Sequence, residues 1–390
     1  MTWPLVPLGD VAEWGSGGTP RRGVAEYYGE GVPWLSIADL NDGTVNSAKE
    51  SLTESGIANS SAKVVPAGTL FIAMYGSIGK LGIAGKEMAT SQAIAFAKPD
   101  KNKIETRYLF NFLMSERPKL LNRGRGGTQM NIGQADLKAW KIPLPPMAEQ
   151  VRIAGLLDLA DEVRAKRRAA LALLDTLPQS LFHQMFGSFS ASATVGDIAT
   201  KMRTGPFGSA LLHSEFVDEG IAVLGLDNVV GNQFRWAERR YITEEKYKQL
   251  KRYTVYPGDV LISIMGTTGR CVIVPNDIPT AINTKHICAT TVDKNKVVPD
   301  FLRATFLWHP VSRAYLKQQT KGAIMDGLNQ TIIKAMPIPL PPLELQQEFA
   351  RRVEAINAQR ALLEQALAKD EELFASLQSR AFSGQLSPCA

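Results

Sequence analysis

The chain has few residues that could form disulfides or hold a metal. Its 390 residues include only three cysteines and four histidines. Cys271, Cys288 and Cys389 are odd in number and widely spaced, which predicts reduced thiols rather than a disulfide framework or a zinc knuckle. The histidines have no spacing typical of zinc ligands. We therefore expect no metal site.

Long apolar runs and targeting signals are also lacking. No stretch approaches the roughly 20 apolar residues that cross a bilayer. Residues 1–7 have no basic region followed by an apolar core, so no signal peptide is predicted. Hydrophobic residues make up 45% of the chain and charged residues 21%, as in ordinary globular proteins with two or three domains. We expect a soluble cytoplasmic protein without a membrane partner.

Motifs of common nucleotide chemistry are missing as well. Gly79-Lys80 lacks both the upstream glycine and the following Ser or Thr of a phosphate-binding Walker A loop. An adenine methyltransferase needs Asn or Asp before Pro-Pro, but Leu144 and Leu340 stand there. The 44 basic residues exceed the 38 acidic ones, a mild excess that fits an anionic partner such as nucleic acid. The sequence therefore favours a binding protein that has no catalytic residues and no cofactor of its own.

What the sequence does contain is a long internal repeat. Residues 142–146, Ile-Pro-Leu-Pro-Pro, recur at residues 338–342, an offset of 338 − 142 = 196 positions. The register then holds without a gap for more than forty positions and aligns Gln150 with Gln346. A repeat of this length indicates a duplicated domain rather than a solenoid, and two copies suit a target or partners that come in pairs.

A helical pattern follows each Pro-Leu-Pro-Pro segment. Apolar residues recur at steps of three and four over about 30 residues, which corresponds to a helix of roughly 45 Å. The two stripes predict an antiparallel coiled coil with charged outer faces. Pro178 interrupts the first stripe, where a kink or an early end is expected.

The regions before the two helices carry short strands joined by Gly-rich turns. Apolar residues 70–75 precede the turn 76–80, and residues 260–265 precede the turn 266–270. Offsets between the copies grow from 187 near the N-terminus to 196 in the helices, so the loops have diverged by insertion. The prediction is a mixed α+β fold, a tandem repeat with pseudo-two-fold symmetry. It comprises a globular region 1–141, a helical spacer 142–187, a second globular region 188–337 and a second helical spacer 338–390.

Together these segments resemble the specificity subunit of a type I restriction–modification system. The resemblance covers nearly the whole chain. It rests on the two Pro-Leu-Pro-Pro-x3-Gln segments with their helices, the Gly-rich patches at 126–131 and 322–330, the strand–Gly-x-x-Gly turns and the Gly-Asp pairs at 9–10 and 196–197.

This resemblance implies that the two globular regions are target-recognition domains, each reading one half of a split duplex DNA site. It implies that two methyltransferase subunits dock on the coiled coil and that restriction (motor-nuclease) subunits join the complex. It also implies that S-adenosylmethionine, ATP and magnesium belong to those partners, so that this chain catalyses nothing itself.

Candidate DNA-contacting residues are those in turns and loops whose side chains can hydrogen-bond to base edges or pair with phosphate. Arg123 and Arg125 are included because paired arginines in a glycine loop suit phosphate or guanine, whereas Lys80 and Arg270 equally fit solvated turn charges. The full set is Arg21, Arg22, Tyr75, Ser77, Lys80, Gln92, Arg123, Arg125, Gln129 and Asn131 in the first region, and Thr267, Thr268, Arg270, Lys285, His286, Lys321, Asn329 and Gln330 in the second.

A second set of residues is assigned to structure and to subunit docking. It consists of Pro145, Pro146, Gln150, Pro341, Pro342 and Gln346. Gln150 and Gln346 are expected to anchor the starts of the helices rather than to touch DNA. Two other interpretations stay open: a solitary DNA-modifying enzyme with degenerate motifs, and a scaffold that joins two partners without touching DNA.

Overall fold

The computed structural model describes residues 3–124, 131–236, 239–320 and 327–386. The chain divides into two compact units. Unit 1 comprises Met1–Arg168 and Gln365–Ala390, and unit 2 comprises Ala169–Glu364. Each unit therefore combines one of the predicted globular regions with half of each predicted helical spacer. The four sequence-based boundaries remain predictions.

The described residues of unit 1 form short strands, three α-helices and parts of the two long helices α4 (Met147–Phe186) and α10 (Leu343–Phe382), which both continue into unit 2. The strands are β1 (Leu5–Pro7), β2 (Ala12–Ser16), β3 (Tyr28–Leu35), β4 (Thr44–Val45), β5 (Glu50–Leu52), β6 (Val64–Val65), β7 (Leu70–Ala73), β8 (Leu81–Ala84), β9 (Met88–Thr90), β10 (Ile94–Pro99) and β11 (Lys141–Pro143). The α-helices are α1 (Glu54–Ala58), α2 (Thr106–Arg123), α3 (Gln134–Ala139) and α4 (Met147–Phe186), and short 3-10 helices cover Leu8–Asp10, Ala25–Tyr27 and Ile37–Asp39.

Unit 2 follows a similar plan, and its last helix continues into unit 1. The strands are β12 (Ala193–Thr194), β13 (Ala199–Thr204), β14 (Ile221–Leu224), β15 (Tyr241–Ile242), β16 (Thr254–Val255), β17 (Val260–Ser263), β18 (Cys271–Ile273), β19 (Ala281–Asn283), β20 (Ile287–Val292) and β21 (Pro337–Ile338). The α-helices are α5 (Val195–Ile198), α6 (Glu244–Leu250), α7 (Pro299–Trp308), α8 (Pro310–Thr320), α9 (Gln330–Lys334) and α10 (Leu343–Phe382). The 3-10 helices cover Gly208–Ala210, His213–Glu215, Leu226–Asn228 and Lys251–Tyr253.

Each unit is built on two mostly antiparallel sheets and a small two-stranded ladder. The sheet orders are β2-β10-β7-β8-β4, β5-β3-β9-β6 and β1-β11 in unit 1, and β13-β20-β17-β18, β15-β14-β19-β16 and β12-β21 in unit 2. The central strands β7 and β17 are buried along their whole length, which explains their unbroken apolar sequences. The mixed α/β class and the tandem repeat predicted from the sequence are confirmed.

A backbone detail repeats between the units and supports the register. Asp42 and Asn232 both adopt positive φ angles, 57° and 56°, a conformation that Asp and Asn tolerate better than most residues. The side chain of Asp42 accepts from the amide of Leu81 at 2.8 Å, and that of Asn232 accepts from the amide of Cys271 at 3.0 Å. The two hydrogen-bonded pairs are related by an offset of 190 residues, the same offset that relates the two Gly-rich turns.

Within unit 1, the first half of α4 packs antiparallel to the last half of α10. Arg167 pairs with Asp370 at 2.6 Å and Arg168 with Glu371 at 2.7 Å. The ring of Phe382, near the end of α10, lies 5.3 Å from that of Phe112 on α2. The helix halves are thus fastened to each other and to the sheet domain.

Within unit 2, the last half of α4 packs antiparallel to the first half of α10. Here the contact is an aromatic cluster: the ring of Phe186 lies 4.8 Å from that of Phe301 and 5.5 Å from that of Phe349. All three rings are buried. Aromatic pairs of this geometry contribute beyond their buried area. The last turns of α4 are therefore part of the unit 2 core.

The long helices exceed the predicted length. α4 and α10 span 40 residues each, or about 60 Å at 1.5 Å per residue. Pro178 lies inside α4, so the early end expected there is wrong. Proline costs the helix one backbone hydrogen bond, and the buried side chains of Phe182 and Phe186 beyond it offset that loss.

One pair of positions in the repeat holds an ion pair in unit 1 and two acidic residues in unit 2. In unit 1, Arg107 on α2 binds Asp158 on α4 through two hydrogen bonds of 2.8 and 2.6 Å. Offsets of 193 and 196 align this pair with Asp300 and Glu354. Burial raises the pKa of Asp300; the charge of Arg303 and a backbone hydrogen bond oppose this in part, and the charge of Glu354 adds a small further increase. Ionised Asp300 is therefore unfavourable in the folded state.

We expect Asp300→Asn to raise the free energy of unfolding at pH 7. The pKa of Asp300 is higher in the folded than in the unfolded state, so its ionisation removes stability as the pH rises through these two values. The gain should disappear at a pH low enough to protonate Asp300 in both states. Urea denaturation at several pH values measures it. Asp158→Asn in unit 1 is the matched control and should lose roughly 1 kcal/mol at pH 7. If Asp300→Asn lowered the free energy of unfolding at neutral pH, a raised pKa of Asp300 in the folded state would be contradicted.

Candidate nucleic-acid interface

The turn after β7 of unit 1 holds three of the predicted contact residues. Gly76 and Gly79 have φ angles of 62° and 77°, which residues with a side chain rarely adopt. Tyr75 and Ser77 are exposed beside them. Lys80 is half-buried, and its Nζ donates to a backbone carbonyl oxygen at 3.2 Å. Tyr75 and Ser77 are therefore free to meet a ligand, whereas Lys80 is held by the protein.

Three segments of unit 1 meet at Tyr75. Its backbone forms an antiparallel bridge with Asn131. The amide of the preceding residue, Met74, donates to the carbonyl oxygen of Ala93 at 2.9 Å, which brings Gln92 to the same end of the sheet. Tyr75, Gln92 and Asn131 are all exposed. We call these three residues the unit 1 edge.

The same backbone arrangement occurs in unit 2. The amide of Ile264 donates to the carbonyl oxygen of His286 at 2.9 Å, and the carbonyl oxygen of Ile264 accepts from the amide of Leu328 at 2.8 Å. The corresponding bond in unit 1, from Ile132 to Met74, is 3.0 Å long. These bonds place Met265, Lys285 and Gly327 where unit 1 has Tyr75, Gln92 and Asn131, and we call them the unit 2 edge.

The Gly-rich turn of unit 2 also matches its counterpart. Gly266 and Gly269 have φ angles of 78° and 83°. Thr267 and Arg270 are exposed and Thr268 is half-buried. The turn thus presents one cation and two hydroxyl groups near the unit 2 edge.

Lys285 and His286 are half-buried at that edge. Burial and, to a smaller extent, the charge of Lys285 lower the pKa of His286. At neutral pH His286 is therefore an uncharged imidazole, which can donate or accept a hydrogen bond but does not attract phosphate as a cation does. Lys285 supplies the positive charge at this position.

Arg22 is held on an aromatic surface of unit 1, and its neighbour Arg21 is exposed. The Arg22 guanidinium lies 4.9 Å from the ring of Tyr28 and 4.8 Å from that of Trp34. It also pairs with Glu50 at 2.7 Å, which raises the pKa of Arg22 and lowers that of Glu50. A phosphate contact by Arg22 would have to compete with Glu50, while Arg21 could bind without that competition.

Arg123 lies in the last turn of α2, exposed, with its guanidinium 5.5 Å from the ring of Trp140. Three further candidates lie outside the described residues: Arg125, Gln129 and Lys321. For Arg123 the structure provides an exposed cation beside an aromatic ring, which suits a phosphate or a stacked base.

Asn329 and Gln330 are engaged in holding α9. The side-chain oxygen of Asn329 accepts from the amide of Ile332 at 2.8 Å and caps the helix. The Gln330 amide group donates to the carbonyl oxygen of Met202 at 3.3 Å. Contact with DNA by either residue remains a prediction, since both already have partners within the protein.

The residues assigned to structure and docking occupy equivalent places in the two units. Gln150 is buried, accepts from the amide of Glu105 at 2.9 Å and donates to the carbonyl oxygen of Pro145 at 2.9 Å. Gln346 makes the equivalent bonds of 3.0 and 2.8 Å to Val298 and Pro341. In each unit these bonds anchor the start of a long helix. Pro145 and Pro341 are buried, whereas Pro146 and Pro342 are exposed.

Sequence reasoning missed aromatic and basic residues at two separate places along unit 2. Phe207 is 55% exposed. Farther along the chain, Arg239 lies 4.8 Å from the ring of Trp236, which also contacts Phe234 at 5.4 Å. Aromatic residues next to arginine in a loop are the sequence signal that could have identified them as nucleic-acid contacts. They join the candidates of unit 2.

The described residues contain no group of three or more His, Cys, Asp or Glu side chains placed to hold a metal ion. In the same part of the chain, no helix combines the length and apolarity needed to cross a membrane.

Comparison of the sequence with protein families identifies two matching segments. Residues 1–171 and 195–371 each match the model described as "Type I restriction modification DNA specificity domain". Among curated proteins, the Escherichia coli type I restriction enzyme EcoBI specificity subunit is 24% identical over 99% of this chain and 86% of its own length. The StySPI specificity subunit of Salmonella potsdam is 26% identical over 99% and 89%.

Solved structures share the fold. The S subunit of a type I restriction–modification system from M. genitalium is 16% identical and aligns with a TM-score of 0.60 over 98% of this chain and 96% of that one. A second chain, from a study of complex assembly and conformational transition of the type I system, is 18% identical, with a TM-score of 0.63 over 99% and 98%. At these identities the likeness concerns the fold alone.

Proposed function

The chain belongs to the family of type I restriction–modification DNA specificity proteins, and on that basis we propose that it reads a bipartite duplex DNA site, with one half contacted by each unit. In this proposal the unit 1 edge and the unit 2 edge, with their neighbouring Gly-rich turns, approach the base edges. The exposed arginines contact the phosphates and fix the register.

One observation carries this proposal. The two edges have the same backbone hydrogen bonds but different side chains: Tyr75, Gln92 and Asn131 in one, Met265, Lys285 and Gly327 in the other. A backbone frame that is kept in both units while the residues at its edge differ suits recognition of two different sequences by one geometry. The unit 1 edge presents three exposed polar side chains, whereas the unit 2 edge presents one, the half-buried Lys285.

We further propose that two methyltransferase subunits dock on the helices α4 and α10 and that restriction subunits join this complex. Adenine methylation and ATP-driven cleavage, with S-adenosylmethionine, ATP and magnesium, are then properties of those partners. The chain itself supplies the address on the DNA, and we assign no catalytic residue to it.

Footprinting of the purified chain on a DNA that carries its site, with and without the methyltransferase subunit, tests the proposal. We expect two protected patches separated by an unprotected spacer. Absence of any footprint together with formation of a protein complex would favour the scaffold interpretation. Methyl transfer or cleavage by the chain alone would favour the enzyme interpretation.

The arginines at the end of α2 and in the segment that follows it give a separate prediction. Replacing Arg123 and Arg125 together with Ala should weaken DNA binding and reduce the slope of log K against log salt by about 1 to 2, because each lost phosphate contact accounts for roughly 0.9. Lys119→Ala is the control: Lys119 is exposed one turn earlier on the same helix but pairs with Glu116 at 2.7 Å. An unchanged slope in the double variant would refute the phosphate assignment.

A further inference from the structure

A helix packs against the Gly-rich turn in each unit and places an arginine there. In unit 1, Arg117 on α2 donates to the carbonyl oxygen of Gly79 at 2.7 Å and to both carboxylate oxygens of Asp42. The offset of 196 aligns Arg117 with Arg313 on α8 in unit 2. The position that a Cβ atom would take on Gly269, the counterpart of Gly79, lies 3.7 Å from Nη1 of Arg313. The two arginines therefore meet the same glycine of the repeated turn.

The two arginines differ in their partners within the protein. Asp42, which pairs with Arg117, has the uncharged Asn232 as its counterpart in unit 2. Another arginine, Arg303 on α7, holds that loop in unit 2, because it donates to the carbonyl oxygen of Asn232. Arg313 is exposed, and among the described residues its guanidinium has no ion pair or hydrogen bond. Its charge is therefore available to a ligand.

A cavity of about 320 Å³ opens beside Arg313, and we call it the unit 2 pocket. Thr268 and Gly269 of the turn line it, together with Lys317 on α8 and Leu328. The described lining residues thus bring two cationic side chains and one hydroxyl group, with no carboxylate among them. Guanidinium and hydroxyl groups commonly bind phosphate oxygens. The lining therefore favours a phosphate group as the ligand.

The equivalent positions in unit 1 have different chemistry. Offsets of 190 and 196 align Thr268 with Ile78 and Lys317 with Leu121. Ile78 is buried in the core of unit 1, and Leu121 is apolar and 39% exposed. The charge of Arg117 is already neutralised by its ion pair. A phosphate group at this place in unit 1 would meet apolar side chains, so the chemistry of the unit 2 pocket is not repeated at these positions.

The unit 2 pocket borders the unit 2 edge. Leu328 directly follows Gly327 of that edge, and its amide donates to the carbonyl oxygen of Ile264 at 2.8 Å. The turn that carries Thr268 begins immediately after Met265 of the same edge. A DNA strand whose bases meet the edge has its phosphates close beside it. A cation that borders the edge is therefore placed for the DNA backbone rather than for a base.

We infer that Arg313 and Thr268 bind a phosphate of the DNA backbone in the unit 2 pocket, and that Arg117, their counterpart in unit 1, binds none. This inference rests on the proposed function, because the phosphate belongs to the duplex that unit 2 reads. The guanidinium supplies the charge and the hydroxyl donates a hydrogen bond. Such a contact carries no base sequence but fixes the position of unit 2 on the duplex.

The test measures binding of the full-length chain to a duplex with its site and to an unrelated duplex, over a range of salt concentrations. Arg313→Gln should weaken binding to both and reduce the slope of log K against log salt by about 1, because one phosphate contact accounts for roughly 0.9. Its urea midpoint should stay that of the wild type. Arg313→Lys should keep most of the slope, because an ammonium group also binds phosphate.

Arg117→Gln is the matched control, since it makes the same replacement at the same position of the repeat. It removes the ion pair with Asp42, so it should lower the urea midpoint and leave the salt slope unchanged. Thr268→Val should weaken binding to both duplexes without changing the slope, because the hydroxyl group carries no charge.

An unchanged slope in Arg313→Gln, or an equal reduction in Arg117→Gln, would overturn the inference and leave the proposed function intact. A wild type that does not distinguish its site from the unrelated duplex would refute the proposed function, and the slopes on the unrelated duplex would still test the pocket. Calorimetry with inorganic phosphate in the absence of DNA separates the two sources of phosphate. Phosphate binding that Arg313→Gln removes, combined with an unchanged DNA slope, would assign the pocket to a free anion and overturn the inference.

Discussion

Replacing Tyr75, Gln92 and Asn131 together with Ala is expected to lower affinity for the specific DNA site about a hundredfold or more. Each well-formed contact to a base edge contributes about 1–3 kcal/mol of discrimination, and these three exposed side chains lie at one end of the unit 1 sheet. Their backbone bonds to the rest of unit 1 do not depend on the side chains. Folding and docking of the methyltransferase subunit should therefore remain as in the wild type.

Competition binding measures this effect with DNA in which one half-site at a time is altered. The triple variant should lose its preference for one half-site and keep its preference for the other. Lys285→Ala in the unit 2 edge is the matched variant and should act on the opposite half. A variant that loses both preferences equally would show that the edge does not read a half-site of its own.

The second large effect concerns a buried ion pair that holds the unit 2 sheet. Arg203 on β13 pairs with Asp259, and the two side chains are 5% and 0% exposed. Arg203 also donates to the carbonyl oxygen of Thr254 at 2.6 Å, and Asp259 accepts from the hydroxyl of Thr291 at 2.6 Å. Each charged group is therefore paired and hydrogen-bonded within the protein.

We expect Asp259→Asn to lower the free energy of unfolding of unit 2 by about 3–5 kcal/mol, because it leaves the Arg203 charge buried without its counter-charge. Urea denaturation followed by circular dichroism measures the loss. The double variant Arg203→Met with Asp259→Asn should recover part of it, since no unpaired charge then remains. If Asp259→Asn alone were as stable as the wild type, the ion pair between Arg203 and Asp259 would contribute nothing to the free energy of unfolding.

Unit 1 offers a natural control for this pair. The position that corresponds to Asp259 is Thr69, whose hydroxyl donates to the carbonyl oxygen of Pro66 at 2.7 Å. The same fold is therefore built there without a buried charge. Thr69→Ala should cost only about 1 kcal/mol, the usual value of one neutral hydrogen bond.

The repeat and the helical periodicity made much of the architecture predictable. Identical Pro-Leu-Pro-Pro segments fixed the register, and the apolar runs at 70–75 and 260–265 predicted the buried strands β7 and β17. Of the kink or early end expected at Pro178, the early end does not occur, because α4 continues to Phe186. A proline penalty is local, whereas the packing of Phe182 and Phe186 that offsets it is a property of the folded unit 2.

The candidate site was less predictable, for a physical reason. The three residues of the unit 2 edge lie 190, 193 and 196 positions after their unit 1 counterparts. No single offset between the two copies therefore matches Met265, Lys285 and Gly327 to the unit 1 edge. Only the backbone bonds across the sheet do so. Similarly, the helix-capping role of Asn329 depends on where α9 begins, which the sequence pattern around residue 329 did not reveal.

Sequencing of methylated adenines in DNA modified by the assembled complex tests the central claim most directly. With the wild-type chain, we predict a motif of two short specified halves separated by unspecified bases. With the Tyr75, Gln92 and Asn131 triple variant, one half should become degenerate while the other stays unchanged. A single continuous motif, or a change in both halves, would contradict the assignment of one half-site to each unit.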